Sequence, residues 1–234
     1  MTDVITASAR TLEHRDIDAD FEHLREIMTG WSFRKSTGLG GEQPYYIYDY
    51  PATQELEVQE HIPTLVNQLQ TMTPSDAPGD YAPKVLVMDL YHEVLEMIKQ
   101  RQVLNRVLNN EQRMHTRMSN SAASDRFLKL LDNMVYGDGA NLAEFMNAQY
   151  DEKKAQDEAD IVFITGVGSV YPYVRAHTLL ENLQGRIDDC PLVLFYPGTY
   201  ATRSNTGSTM SLFSLIDTDN YYRARNLREM TPKR

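Results

Sequence analysis

Apolar and polar positions alternate along the chain with two different periods, and each period predicts a different element. The first helix is marked by apolar residues at spacings of three and four, namely Ile17, Phe21, Leu24, Ile27 and Met28. Gly30 follows the last of them, as is typical of a helix C-terminus. Further helical patterns cover 52–72, with a break at Pro63, and then 91–100, 102–118, 125–136, 141–152 and 172–184.

Four short segments are apolar throughout and predict buried strands. They cover 45–48, 85–88, 161–164 and 192–196, and the fourth is expected to end in a turn at Pro197 and Gly198. The glycine-rich stretch before the first strand, 31–44, is expected to be a loop. Near the C-terminus, 212–216 and 221–227 are expected to form either a final strand pair or a short helix.

Strands that are apolar throughout and alternate with helices predict an α/β fold. Such strands form a mostly parallel sheet that helices cover on both faces, as in three-layer nucleotide-binding proteins. The long helical stretch at about 91–152 interrupts the alternation and is interpreted as an insertion. The 234 residues suit one domain, expected at 17–234 after an N-terminal tail at 1–16.

Composition and charge narrow the function classes. Thirty-three acids against 23 bases give a net charge of −10, which argues against anything more than weak or indirect DNA binding. The single cysteine, Cys190, excludes an intrachain disulfide and a cysteine-based zinc cluster. The absence of a signal-like start and of a long apolar run predicts a cytoplasmic protein without a membrane partner.

The turn after the third strand is the segment most suggestive of a ligand. Gly166, Gly168 and Ser169 follow a strand and open a helix, where backbone amides can face an anion or a nucleotide. The segment has no Gly-Lys-Ser/Thr phosphate loop, and Tyr171 stands where a dinucleotide fingerprint has its third glycine. A tight turn without a ligand therefore remains the other interpretation, and no cofactor, metal or catalytic residue is assigned.

Other candidate residues have simpler structural interpretations. Asp89 ends the second strand and is expected to cap the next helix. Arg175 and His177 follow the glycine turn, but no nucleophile stands at a spacing that forms a triad with His177. Two basic tracts, Lys99 to Arg117 and Arg223 to Arg234, could contact nucleic acid or an acidic partner, or could be solvated faces.

Tyrosine and arginine near the C-terminus suggest a protein interface, because these residue types are enriched at binding hot spots. The candidate partner-interface residues are Tyr196, Tyr200, Tyr221, Tyr222 and Arg223.

Several of these segments, taken together and in order, resemble the BrxB family of the bacterial BREX (bacteriophage exclusion) systems. The carrying segments are IYDYP at 47–51, VMDLY at 87–91, TGVGSVYP at 165–172 with RAH at 175–177, FYPGTY at 195–200 and YYRA at 221–224. The resemblance covers the chain from about residue 20 onwards.

The resemblance implies a role in anti-phage defence. BREX combines a DNA methyltransferase, the alkaline-phosphatase-like protein PglZ, an ATPase and small accessory proteins, to which BrxB belongs. The resemblance further implies that this chain is a non-enzymatic scaffold or regulatory component that engages PglZ, with the methyltransferase as a further partner. A degenerate nucleotide-binding regulator or hydrolase using the glycine turn and Asp89, and a nucleic-acid-binding accessory protein, stay as alternatives.

Overall fold

The strands of the chain assemble into one mixed sheet between two layers of helices. The computed structural model describes residues 14–36, 43–102, 141–171, 173–183, 185–203, 207–213, 216–220 and 224–232, with the isolated positions 105, 109 and 135. The helices are α1 (Ile17–Thr29), α2 (Trp31–Arg34), α3 (Glu55–Gln70), α4 (Leu90–Gln100), α5 (Leu142–Ala155), α6 (Val167–Val170) and α7 (Ala176–Leu183). The strands are β1 (Tyr45–Tyr50), β2 (Val85–Asp89), β3 (Ile161–Thr165), β4 (Leu192–Arg203), β5 (Gly207–Leu212), β6 (Ile216–Asn220) and β7 (Arg225–Asn226).

The sheet order is β2-β3-β4-β1-β7, and every neighbouring pair in this series is parallel. The chain leaves β1, crosses to β2 at the far end, and returns stepwise through β3 to β4 beside β1. Right-handed crossovers in opposite directions place the intervening helices on opposite faces. The predicted mostly parallel α/β sheet with helices on both faces is therefore confirmed.

Each face of the sheet has its own apolar core, because successive strand side chains point to opposite sides. On one face, α1 and α3 pack on an aromatic group in which Phe21, Tyr48 and Phe195 have ring centroids 5.7–6.2 Å apart. On the other face, α4, α5 and α7 pack on the alternate residues of the same strands, including Ile47 and Leu194. This two-sided burial explains why the central strands are apolar throughout.

The predicted break at Pro63 is wrong, because α3 continues through this residue to Gln70. A proline inside a helix removes one backbone hydrogen bond, which here would join residue 63 to the carbonyl of Gln59. Both residues are exposed, so water can hydrate that carbonyl.

The predicted turn at Pro197 and Gly198 is also wrong, because β4 runs through both residues and changes its partner there. Its first half pairs parallel with β1 as far as Pro197, and its second half pairs antiparallel with β5 from Gly198 onwards. The missing N–H of Pro197 costs little at this change of partner, since its carbonyl still accepts from Phe213 N at 2.9 Å.

The remaining boundary differences involve short elements. Part of the predicted loop at 31–44 forms α2, directly after Gly30 caps α1. The segment 212–216, expected as a strand or helix, instead covers the end of β5 and the start of β6, and β7 lies inside 221–227. Both ends of the predicted insertion, α4 and α5, belong to one helical layer. Its interior falls mostly outside the described residues, as do residues 1–13 of the tail predicted at 1–16, so the domain division stays a prediction. No described helix combines the length and the apolar character needed to span a bilayer.

A buried ion pair fixes the connection after α3. Arg34 Nη1 lies 2.5 Å from Asp80 Oδ1, both side chains are almost completely buried, and Arg34 also donates to the carbonyl of Tyr81 at 2.6 Å. Ser75 donates its backbone N–H and its hydroxyl to Asp80 Oδ2 at 2.7 and 2.6 Å. The hydrogen bond from Arg34, followed by those from Ser75, holds the pKa of Asp80 well below its ordinary value.

We expect this ion pair to make unfolding depend on pH in acid. A carboxylate whose pKa is lower in the folded state than in the unfolded state stabilises the fold at pH values above its unfolded pKa of about 4. This stabilisation is lost as the pH falls below that value. The denaturation midpoint of the protein should therefore drop between about pH 5 and pH 3. Asp80→Asn removes this titration, so its midpoint should drop less over the same range. Parallel curves for the two proteins would contradict the assignment to Asp80.

Candidate functional site

The carboxyl ends of the neighbouring strands β1 and β4 lie at the point from which the chain continues towards opposite ends of the sheet. The connection after β1 leads towards β2, and the connection after β4 leads the opposite way, towards β7. In open α/β sheets, ligands bind in the crevice outside the strand ends at such a point. The candidate functional site is therefore this edge, together with the glycine turn after β3.

A single carboxylate, that of Asp49, joins three segments at this edge. Its Oδ2 accepts from the backbone N–H of Tyr200 at 3.0 Å, and its Oδ1 accepts from Asn226 Nδ2 at 3.0 Å and Arg228 Nη1 at 3.1 Å. The residue is 3% exposed, so these internal donors replace water around a buried charge. The carboxylate thus ties β1 to β4 and to the C-terminal segment.

The sequence interpretation missed Asp49, Asn226 and Arg228 as a group. One signal was present, since Asp49 is the only charged residue in a strand that is buried along its whole length. A buried charge requires a partner, but the pattern does not say which residue supplies it. The pairing also engages one cation of the basic tract at Arg223 to Arg234.

The glycine turn is shaped by a second carboxylate, that of Asp89. Gly166 has φ +75°, and a Cβ there would lie 2.6 Å from Asp89 Oδ2, so both the conformation and the space favour glycine. Asp89 Oδ1 accepts from His92 N at 3.1 Å, which confirms its predicted role as the cap of α4. Its Oδ2 accepts from the Thr165 hydroxyl at 3.1 Å.

The other two residues of the predicted anion site lie just beyond Gly166. A Cβ on Gly168 would lie 3.4 Å from the Phe213 ring and 3.7 Å from Glu55 Oε2, while the backbone N–H of Ser169 donates to Gly166 O at 3.1 Å. The turn therefore has the Asp89 and Glu55 carboxylates beside it, and negative charge there opposes a phosphate. The anion or nucleotide site at this turn stays a prediction.

A cavity of about 280 Å³ lies between the segment after the turn and the β4–β5 hairpin. Tyr171, Arg175, Ala176 and His177 line one side, and Tyr196, Met210 and Leu212 line the other. Burial lowers the pKa of His177, the carboxylate of Glu181 opposes this shift, and the charge of Arg175 adds to it. His177 is therefore mainly uncharged at neutral pH.

The predicted interface tyrosines have different positions. Tyr196 and Tyr200 are each 2% exposed, so both rings lie within the fold of this chain, and their role at an interface stays a prediction. The Tyr200 hydroxyl donates to Ala224 O at 2.9 Å and accepts from Ala224 N at 3.0 Å, so this ring supports the C-terminal segment from inside. Tyr221, Tyr222 and Arg223 lie outside the described residues, and their role at an interface stays a prediction.

The single cysteine is held in an unreactive environment. Cys190 is buried, and the hydroxyl of Tyr150 lies 3.4 Å from its Sγ. Burial raises the pKa of the Cys190 thiol to about 11, so the nucleophilic thiolate is scarce at neutral pH. Within the part of the chain that the structure describes, no group of three His, Cys, Asp or Glu side chains is placed to hold a metal ion.

Comparisons with known proteins identify the family to which this chain is related. Residues 86–227 match the family model of the BREX protein BrxB. The chain is 35% identical over 209 residues to the BREX protein BrxB of Bacillus cereus (strain H3081.97), which covers 88% of this chain and 96% of that relative. It is 30% identical over 197 residues to the BREX protein BrxB of Escherichia coli O9:H4 (strain HS), with 83% of each covered. No solved structure matches significantly.

These matches place the chain among the components of the BREX systems, which act in antiviral defence. Within that class, the chain belongs to the BrxB family. Other BREX subunits are thereby implied as its partners, and the family resemblance read from the sequence is confirmed.

Proposed function

We propose that this chain is a non-enzymatic scaffold or regulatory component of a BREX complex and that it binds the alkaline-phosphatase-like subunit PglZ. The observation that carries the proposal is the internal use of Asp49. At the point where an α/β sheet ordinarily presents ligand-binding groups, its carboxylate accepts three hydrogen bonds from the chain itself. A group that is buried and occupied in this way is suited to holding segments together.

The second carboxylate at the edge supports the same proposal. Asp89 caps α4 and accepts from Thr165, so its two oxygens hold one helix and one neighbouring strand in place. Both carboxylates thus have structural roles. Binding to other BREX subunits is therefore the function that we propose for this member of the BrxB family.

The proposal is tested by co-purification of the tagged full chain with PglZ when the two are expressed together. We expect a stable complex that Tyr222→Ala or Arg223→Ala weakens, because buried aromatic and arginine anchors cost about 2 kcal/mol or more when truncated. Lys99→Ala is the matched control, since Lys99 is half-exposed and pairs with Glu96 on the same helix at 2.5 Å. Circular dichroism melting of each variant separates loss of binding from loss of folding.

Two results would count against the proposal. If the protein of natural sequence co-purifies with neither PglZ nor the methyltransferase, the scaffold role fails. If the purified chain hydrolyses ATP or GTP and Asp89→Ala abolishes the turnover, a nucleotide-dependent enzyme replaces it. If Tyr222→Ala and Arg223→Ala both melt normally and still form the complex at full yield, the interface does not include Tyr222 and Arg223.

A further inference from the structure

An open groove runs between α1 and α3 on the outer surface of one helical layer, on the face of the sheet opposite α4, α5 and α7. It encloses about 340 Å³, and Phe21 and Leu65 form its apolar floor. The polar lining comes from both helices: Asp18, Glu22, Glu60, His61, Thr64 and Gln68. A groove between two neighbouring helices is the shape into which an amphipathic helix from a partner can pack.

The segments that contain α1 and α3 are strongly acidic, and three of their carboxylates, those of Asp18, Glu22 and Glu60, line the groove. Residues 16–29 and 52–70 contain eight carboxylates and a single arginine, so these 33 residues account for −7 of the net charge of −10. The arginine, Arg25, donates to Glu22 at 2.9 Å, and His61 Nε2 lies 2.8 Å from Asp18 Oδ1. Even so, the side chain of Asp18 is 89% exposed, and Glu60 is exposed as well.

Helix α3 also carries one strongly exposed apolar side chain near a groove carboxylate. Leu56 is 75% exposed, and it lies one turn before Glu60, so both share one face of α3. Single exposed leucines are common and need no explanation. Leu56 is not among the residues that line the groove, so the apolar part of the groove is formed by Phe21 and Leu65.

We infer that the groove between α1 and α3 docks a helical segment of a partner subunit that is rich in lysine and arginine on one face and apolar on the other. The apolar face of that segment would lie over Phe21 and Leu65, while its cations would lie against Asp18, Glu22 and Glu60. The 13 residues of α1 span about 20 Å, which matches a partner helix of three to four turns.

Charge complementarity selects this occupant over the other classes. Nucleic acid would bring phosphates against the carboxylates, which would repel it. A basic helix would instead be attracted at long range and oriented by the rim before the apolar floor is covered. The inference deepens the proposed scaffold role and rests on it, because it names the chemistry of one segment that the scaffold binds.

The test uses the full chain and a fluorescein-labelled 14-residue peptide of lysine and leucine with an amphipathic helical pattern. Binding is measured by fluorescence anisotropy. We compare the triple variant Asp18→Asn, Glu22→Gln, Glu60→Gln with the triple variant Glu96→Gln, Glu152→Gln, Glu158→Gln. The second set consists of exposed carboxylates outside α1 and α3, and it changes the net charge by the same amount.

We expect the groove variant to bind the peptide about tenfold more weakly than the natural chain, the combined effect of three modest surface ion pairs. The control variant should change the affinity less than about twofold, because its charges do not line the groove and exposed charges are screened at 0.15 M salt. Circular dichroism melting should show that all variants remain folded.

Three outcomes would overturn the inference. They are the absence of saturable peptide binding, equal losses in the two triple variants, and a concentration-dependent dimer of the chain that the groove variant abolishes, which would make a second copy the occupant. Co-purification with PglZ is measured separately on the same variants. If the peptide test does not give the expected result while the natural chain still co-purifies with PglZ, this inference alone is removed. If the natural chain co-purifies with neither PglZ nor the methyltransferase, the scaffold role is removed.

Discussion

Asp49→Ala should destabilise the fold by about 3–5 kcal/mol, the range measured when one partner of a buried charge pair is removed. The substitution removes the acceptor for Tyr200 N, Asn226 Nδ2 and Arg228 Nη1 at once. The guanidinium of Arg228 is only partly exposed, so its lost partner is incompletely replaced by water. Since domains of this size are stable by about 5–15 kcal/mol, the variant would lose a large part of its stability.

Urea denaturation followed by circular dichroism measures this loss. Asp76→Ala is the matched control, because Asp76 is exposed in the connection after α3 and its removal should change stability by no more than about 0.5 kcal/mol. Asp49→Asn should fall between the two, since an amide keeps the volume and one acceptor oxygen but turns an NH2 group towards a donor. Equal midpoints for Asp49→Ala and Asp76→Ala would show that the three donors find other acceptors.

Gly198→Ala is expected to cost about 3 kcal/mol, at the upper end of the range for overpacking. A Cβ at this position would lie 2.1 Å from the carbonyl oxygen of Ser211 and 3.1 Å from the amide nitrogen of Phe213. Both are backbone atoms of the segment that pairs with β4, so no side-chain rotation relieves the contact. The β5 strand must move away from β4 at the point where β4 changes its partner.

The control for this variant is Gly79→Ala. Gly79 has φ +78°, and a Cβ there would meet no atom within 4 Å, so the cost is backbone strain alone, about 1–2 kcal/mol. Amide hydrogen exchange of Gly198→Ala should show faster exchange in β5 than in β1, because the disturbance begins in the hairpin. If Gly198→Ala melts at the same temperature as the natural chain, β4 and β5 do not approach as closely as the structure indicates.

The elements that the sequence predicted well depend on residues close to one another in the chain. The apolar spacing from Ile17 to Met28 gave α1, and Gly30 ended it as expected. Asp89 was predicted to be a helix cap because its position at the end of a strand and the start of a helix is a local property. The continuous apolar character of 161–164 and 192–196 indicated strands buried on both faces, and hence a parallel sheet.

The predictions that failed depended on surroundings that the local pattern does not contain. Pro63 does not break α3, because that side of the helix faces water. Pro197 and Gly198 do not form a turn, because β5 and the segment after it offer the carbonyl of Pro197 and the backbone of Gly198 a partner. The burial of Tyr196 and Tyr200 depends on such surroundings too, because amphipathic residues suit an interface or a core edge; their role at an interface stays a prediction.

What the sequence determined by itself was the list of helices and buried strands, the α/β class and the family, since each depends on periodicity or on ordered motifs along the chain. Only the tertiary structure decided that β1 lies between β4 and β7 and that Asp49 meets Tyr200, Asn226 and Arg228, which are 151, 177 and 179 residues away. Periodicity reports which face of an element is buried, because it arises within a few residues of chain. The partner of a buried charge is chosen instead by which distant segments the packed sheet brings to the same edge.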